Sequence, residues 1–290
     1  MPELLAERAA ASLPAALPQR ACLRFHGGLQ ALVYRDRRRE CIAHEFWVAP
    51  AVKDAIESCG VPHTEIGLLH INGVAAAPAA LLRGGDTVDV YPPADIPAAG
   101  APAVDAAGTS AVAAGIPAGD APALAVAARG ASTQLPPCFA VDVNLGRLAT
   151  LLRLLGFDTL YRNDFDDAGL AALAVAQGRI LLTRDRGLLM RREIVQGAFV
   201  RETKPEAQLL ATLRRFGLAR QLRPFSRCLR CNGELRPVNR EDVAPELPPR
   251  VRASGDLLFS RCIGCGRLYW PGTHYRRLQA TVLALQAALA

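Results

Sequence analysis

Long hydrophobic runs are missing from this sequence of 290 residues. No apolar stretch reaches the roughly 20 residues that a membrane-spanning helix needs, so no membrane partner is expected. Missing as well is a secretory signal: the first residues lack a basic start, a long apolar run and a small-residue cleavage site, and the chain reads as cytoplasmic. Lysine is scarce, and beyond Pro137 nearly every cation is arginine. Of the eight cysteines, Cys22, Cys41, Cys59 and Cys138 have no partner spacing and read as small buried hydrophobes. What is present is ample apolar content, 51% with a mean hydropathy of +0.15, enough for a core in each of two or more domains.

The net charge of +7 is unevenly placed, with 24 Lys+Arg against 14 Asp+Glu from Pro137 onward and 10 against 13 before it. Arginine pairs bidentately with phosphate and stacks on bases, so a nucleic acid is the expected partner of the C-terminal half. A compositional bias toward arginine would give the same count.

Composition also divides the chain. Residues 1–19 are Ala-rich and read as a frayed tail. Residues 94–136, mostly Ala, Gly and Pro without helix or strand period, read as a flexible linker. Between these tracts, residues 20–93 show strand patterns at Cys22–Phe25 and Cys41–Val48 and a helix from Val52 to Cys59 stopped by Gly60. An apolar stretch Ile66–Ile71, an Asn72-Gly73 turn and an alternating strand Thr87–Tyr91 follow. This order resembles a β-grasp, ubiquitin-like α+β domain. Gly84-Gly85 is a turn within it, because the last strand runs on into Pro92-Pro93 rather than ending free. His63 and His70 read as a loop and a strand residue, since neither has a second ligand at a metal spacing.

Residues 137–222 alternate strands with helices, which predicts an α/β fold on a mostly parallel sheet. A strand at Cys138–Val141 ends in Asp142. Leu145, Leu148, Leu152 and Leu155 then recur at helical spacing, with Arg147, Thr150 and Arg153 on the opposite face and Gly156 as the stop. Phe157–Tyr161 is a second strand, followed by the acids Asp164, Asp166 and Asp167 and a helix with Leu170, Leu173 and Ala174 inward. The strand Ile180–Thr183 ends in Arg184-Asp185, and Ala198–Val200 precedes a final helix with a capping box at Thr203 and Glu206. Each acid alone reads first as a cap or turn former. Their recurrence at the carboxyl edge, where open α/β sheets place their sites, points to a nuclease whose carboxylates bind Mg²⁺ or Mn²⁺.

Two tight pairs, Cys228-Leu229-Arg230-Cys231 and Cys262-Ile263-Gly264-Cys265, supply four thiolates, enough to fill the tetrahedral shell of one structural zinc ion. A Gly shortly after each pair permits the knuckle, and the segment from Glu234 to Ser260 is expected to form hairpin strands with a Pro-rich loop at Pro245–Pro249. Arg267, Tyr269, Trp270, His274, Tyr275, Arg276 and Arg277 could stack on single-stranded bases and hold phosphates. Equally, Tyr269 and Trp270 could form the small core of this module.

The runs VDVNLGRLATLLRLLGFDTLY, GRILLTRDRGLL, PFSRCLRCNGELRPV and CIGCGRLYWPGTHY resemble the Mut-seven C-terminal ribonuclease family. LRFHGGL, VKDAIESCGVPHTEIGLL and GDTVDVYP resemble the ubiquitin-like domain found joined to it. The resemblance implies a PIN-like ribonuclease domain over 137–222 and a zinc ribbon over 223–278; residues 279–290 lie outside it and read as a helical tail. It also implies metal-dependent hydrolysis of RNA by Asp142, Asp185 and a middle acid, Asp167 in preference to Asp164. Arg147, Arg184, Arg267, Trp270, Arg276 and Arg277 are the expected RNA contacts. A non-catalytic RNA-binding or ribosome-associated adaptor is the alternative, and the ubiquitin-like domain awaits a protein or RNA partner.

Overall fold

A computed structural model describes residues 17–93, 136–253 and 257–289, so nearly all of the expected tail and linker lies outside the described residues. The chain divides into two compact units, one formed by residues up to Val61 with Leu68–Tyr91, the other by Pro62–Gly67 with the residues from Pro92 onward.

The first unit is a five-stranded mixed sheet built from β1 (Gln19–Phe25), β2 (Ile42–Phe46), β3 (Leu68–Ile71), β4 (Val74–Ala75) and β5 (Thr87–Tyr91), in the order β2-β1-β5-β3-β4. Helix α1 (Val52–Ser58) turns Val52, Ala55 and Ile56 into the core. Val88 and Val90 of β5 are fully buried, as period-two alternation requires. Asn72 and Gly73 have φ of 51° and 79°, the double left-handed geometry of a tight hairpin turn between β3 and β4. This is the expected β-grasp. One reading is corrected: Cys22 and Cys41 are joined in a disulfide, with Cα atoms 5.4 Å apart. Antiparallel pairing sets Cys22 opposite Ala43 and so carries it to the residue just before β2, a proximity that no local spacing announces. Cys59 is buried, as expected of a small hydrophobe.

The second unit holds β6 (Phe139–Val141), α2 (Gly146–Leu154), β7 (Thr159–Leu160), α3 (Asp167–Ala176), β8 (Ile180–Thr183), α4 (Arg186–Leu189), β9 (Gly197–Phe199) and α5 (Pro205–Arg215). These four strands form one sheet and are all parallel, in the order β7-β6-β8-β9. Alternate residues of the central strands face opposite layers. Phe139, Val141 and Leu182 pack with Leu148 and Leu152 of α2 and Leu209 and Leu213 of α5, while Ala140 and Leu181 pack with Leu170 and Ala174 of α3. Burial on both faces is why these strands are continuously apolar.

Two local expectations fail here. Helix α5 is capped by Lys204, without a side-chain bond, because Pro205 takes the first helical position that its fixed φ favours and displaces the Thr203–Glu206 box by one residue. Arg153, expected on the exposed face of α2, is buried.

Beyond α5, β10 (Leu235–Val238), β11 (Phe259–Cys262) and β12 (Leu268–Tyr269) form a three-stranded antiparallel ribbon. The expected Pro-rich loop is partly helical instead. Helix α6 (Arg240–Val243) and helix α7 (Pro249–Arg252) fold back so that Val243 and Leu247 bury Phe259. Helix α8 (Thr273–Leu289) runs unbroken through position 278 and returns Val282 and Leu285 to the core shared by α2 and α5. No described helix is long and apolar enough to cross a membrane.

Candidate functional site

The carboxyl ends of β6 and β8 lie side by side, with Asp142 N donating to Leu182 O at 3.0 Å. Asp142 is buried. Its Oδ2 accepts the Thr183 hydroxyl at 2.6 Å and its Oδ1 accepts the Asn144 backbone amide at 3.2 Å. The same Thr183 Oγ1 accepts the backbone N–H of Asp185 at 2.9 Å, so one hydroxyl ties the two acids' positions together. Asp185 is exposed and caps α4, accepting from Gly187 N at 2.7 Å and Leu188 N at 3.4 Å. Both are caps, as the plainer reading held. Capping does not consume a carboxylate, whose two oxygens offer about four acceptor sites. Asp142 is held by the Thr183 hydroxyl and the Asn144 backbone amide.

In the acidic loop after β7, Asp166 caps α3 through Gly169 N at 2.8 Å. Asp164 is paired with exposed Arg162 at 2.6 Å, and that hydrogen bond holds its carboxyl below the usual range. Asp167 is the exposed first residue of α3. Among the described residues the acids do not gather within ligand distance of one another in threes. Arg147 and Arg184 are exposed, and Arg184 also donates to Glu202 O at 3.1 Å. Thr183 and Asn144 escaped the sequence reading, because a threonine closing an apolar strand looks like a β-branched core residue. Its position two residues before Asp185 was the available signal.

The cysteine pairs do converge. Cys228, Cys231, Cys262 and Cys265 bring their sulfurs within 4.8 Å of one another, the one such group among the described residues. Each CxxC turn closes on a left-handed residue, Asn232 after the first and Gly266 after the second, both with φ of 71°. The expectation that glycine serves both knuckles is corrected by Asn232. Burial pushes the Cys228 thiol up, but the Tyr269 hydroxyl, 3.1 Å from its sulfur, and backbone amides outweigh this and bring it down to about 6. Cys231 is pushed up to about 12, by burial and by the neighbouring cysteines. Four thiolates can coexist here only with a cation between them, and an all-sulfur tetrahedral set suits zinc.

The aromatic residues around the ribbon are engaged in packing. Trp270 joins the Val243–Leu247–Phe259 core, and the Tyr275 ring lies 4.5 Å from that of Phe225. Arg267, Arg276 and Arg277 remain exposed.

The Mut7-C RNAse domain model matches residues 137–282, half of the chain, and the Mut7-C ubiquitin model matches residues 19–96. No characterised protein and no solved structure is similar enough to match. With the parallel sheet, the four-cysteine ribbon and the β-grasp unit all accounted for, the chain belongs to the Mut7-C RNAse domain family and carries that family's ubiquitin-like domain ahead of it.

Proposed function

We propose that the protein is a metal-dependent ribonuclease that hydrolyses RNA phosphodiester bonds at the carboxyl edge of the parallel sheet. The observation that carries this reading is the shared Thr183 hydroxyl, which holds Asp142 and Asp185 at adjacent strand ends. Asp142 and Asp185 would hold Mg²⁺ or Mn²⁺ at the adjacent strand ends, with Asp167 as a third acid that must be drawn in from the start of α3, since the three do not lie within ligand distance of one another; Asp164 is less suited because Arg162 already pairs with it. Bound there, the cation would activate water and offset charge on the phosphodiester. Arg147 and Arg184 would hold the backbone near the acids, and Arg267, Arg276, Arg277 and the half-buried Trp270 would extend the contact. The four cysteines would bind one structural zinc ion, whose role is folding.

The capping roles of Asp142, Asp166 and Asp185 favour a second reading, an RNA-binding adaptor without catalysis. Labelled single-stranded and structured RNAs, incubated with the full chain and Mg²⁺, Mn²⁺ or chelator, decide between them. Cleavage that requires the metal and disappears in both Asp142→Asn and Asp185→Asn, with RNA binding kept, supports the nuclease. Binding without cleavage under every condition supports the adaptor.

A further inference from the structure

Strand β7 is one of the two outer strands of the parallel sheet, and an outer strand presents N–H and C=O groups that need cover. Two side chains provide it. Asn232 Oδ1 accepts the Thr159 N–H at 3.0 Å, while Arg153 donates from Nε to Thr159 O at 3.0 Å and from Nη2 to Tyr161 O at 3.3 Å. Both tie the first cysteine knuckle to the sheet, Asn232 from the knuckle itself and Arg153 from α2. Arg153 Nη1 donates to Leu229 O and Arg230 O, the two residues between the cysteines, at 3.2 and 3.1 Å. Asn232 directly follows Cys231, and its Nδ2 donates to Asp158 Oδ1 at 2.9 Å.

The two knuckles differ in an informative way. At the left-handed position the second uses Gly266, which bears that conformation without strain, and the first uses asparagine. Its two side-chain bonds, with Thr159 of β7 and with Asp158 just before it, offset the strain. Past β7, the Tyr161 hydroxyl donates to Val143 O at 3.2 Å, in the turn that begins at Asp142.

We propose that Asn232 and Arg153 are positioning residues that couple the four-cysteine zinc site to the Asp142 carboxylate, so that zinc loading orders the β7 edge and seats the turn after Asp142. The catalytic consequence rests on the nuclease reading; the coupling itself does not. Linkage is reciprocal: if zinc steadies β7, releasing β7 from the knuckle weakens the hold on zinc by the same factor.

The test uses the full-length, zinc-loaded protein and two variants. Asn232→Gly keeps the backbone conformation and deletes both side-chain bonds; Asn232→Asp keeps the acceptor for Thr159 N–H. Amide exchange is followed at Thr159 and at Asn144, whose N–H reports on Asp142. Zinc transfer to a chromogenic chelator and kcat and KM for RNA are measured alongside. Asn232→Gly should speed exchange at both amides and zinc transfer by about tenfold, and lower kcat with KM nearly unchanged. Asn232→Asp should protect Thr159 better than Asn232→Gly but less than wild type, since its charge opposes the Asp158 carboxylate that Asn232 Nδ2 meets. Exchange that rises at Thr159 alone, with Asn144 and zinc transfer as in wild type, would reduce Asn232 to an edge cap and overturn the coupling, as would no change at all. Should Asn232→Gly fail to fold, Arg153→Lys, which keeps the charge and loses the forked contacts, is judged by the same outcomes. If wild type cleaves no RNA, the nuclease reading fails, while exchange and zinc transfer still decide the coupling.

Discussion

Thr183 shows how much can rest on one hydroxyl. It donates to the buried Asp142 carboxylate and accepts from Asp185 N–H. Valine in its place preserves the shape but leaves a buried carboxylate short of a donor, a loss of about 1–3 kcal/mol. Thr183→Val should therefore lower the urea unfolding midpoint and reduce metal-dependent cleavage at least tenfold, and Thr183→Ser should restore both; cleavage unaffected by valine would separate the hydroxyl from the chemistry. Asp158 carries a pH dependence. Burial pushes its carboxyl up, but hydrogen bonds from Arg179 and Asn232, with the charges of Arg179 and Arg227, outweigh this, so it titrates below an ordinary aspartate. A depressed folded-state pKa stabilises fully above the unfolded value, about 3.9, and that contribution is lost as pH falls through the folded value. Stability measured from pH 6 to pH 2 should drop below about pH 4, and Asp158→Asn should flatten that limb.

Among elements, α8 is the one whose role changed most between sequence and structure. Its last residues, 279–290, read in the sequence as a helical tail; the packing of Val282 and Leu285 against α2 and α5 makes the helix part of the core. Leu285→Ala should cost about 2–4 kcal/mol in urea unfolding of the second unit, a loss that a mere tail would not show. The turn after α2 is a different case. Gly156 has φ of +91°, and a side chain there would run into the Arg223 carbonyl. Gly156→Ala should destabilise the same unit by more than about 1 kcal/mol, whereas Gly178→Ala, with φ of +59° and open space around it, should cost less. The stop at Gly156 was legible because the motif is local, and so were β5, β8 and the Asn72-Gly73 turn. The burial of Arg153 was not. Helical period assigns it to the polar face, and only carbonyls supplied by β7 and the cysteine knuckle let a guanidinium enter the interior.

At the scale of the whole molecule, the arginine excess and the four-cysteine cluster set the expectations. Arginines account for most of the excess positive charge after Pro137, so RNA affinity should fall steeply with salt, and Arg147→Ala or Arg184→Ala should each flatten the slope by roughly one phosphate contact. Unchanged slopes would place the RNA elsewhere. Metal analysis should find one zinc per chain, lost in Cys262→Ser together with the protease resistance of the ribbon. The sequence alone determined the order and type of most elements, the four cysteines that cluster and the acids that end parallel strands, because hydrophobic period, turn residues and closely spaced cysteine pairs are local properties of the chain. Tertiary structure alone decided the disulfide between Cys22 and Cys41, the bridging hydroxyl of Thr183 and the seating of the cysteine knuckle on β7. A bond such as that from Asn232 to Thr159, 73 residues apart, exists only once strand order and register have brought the two backbones together.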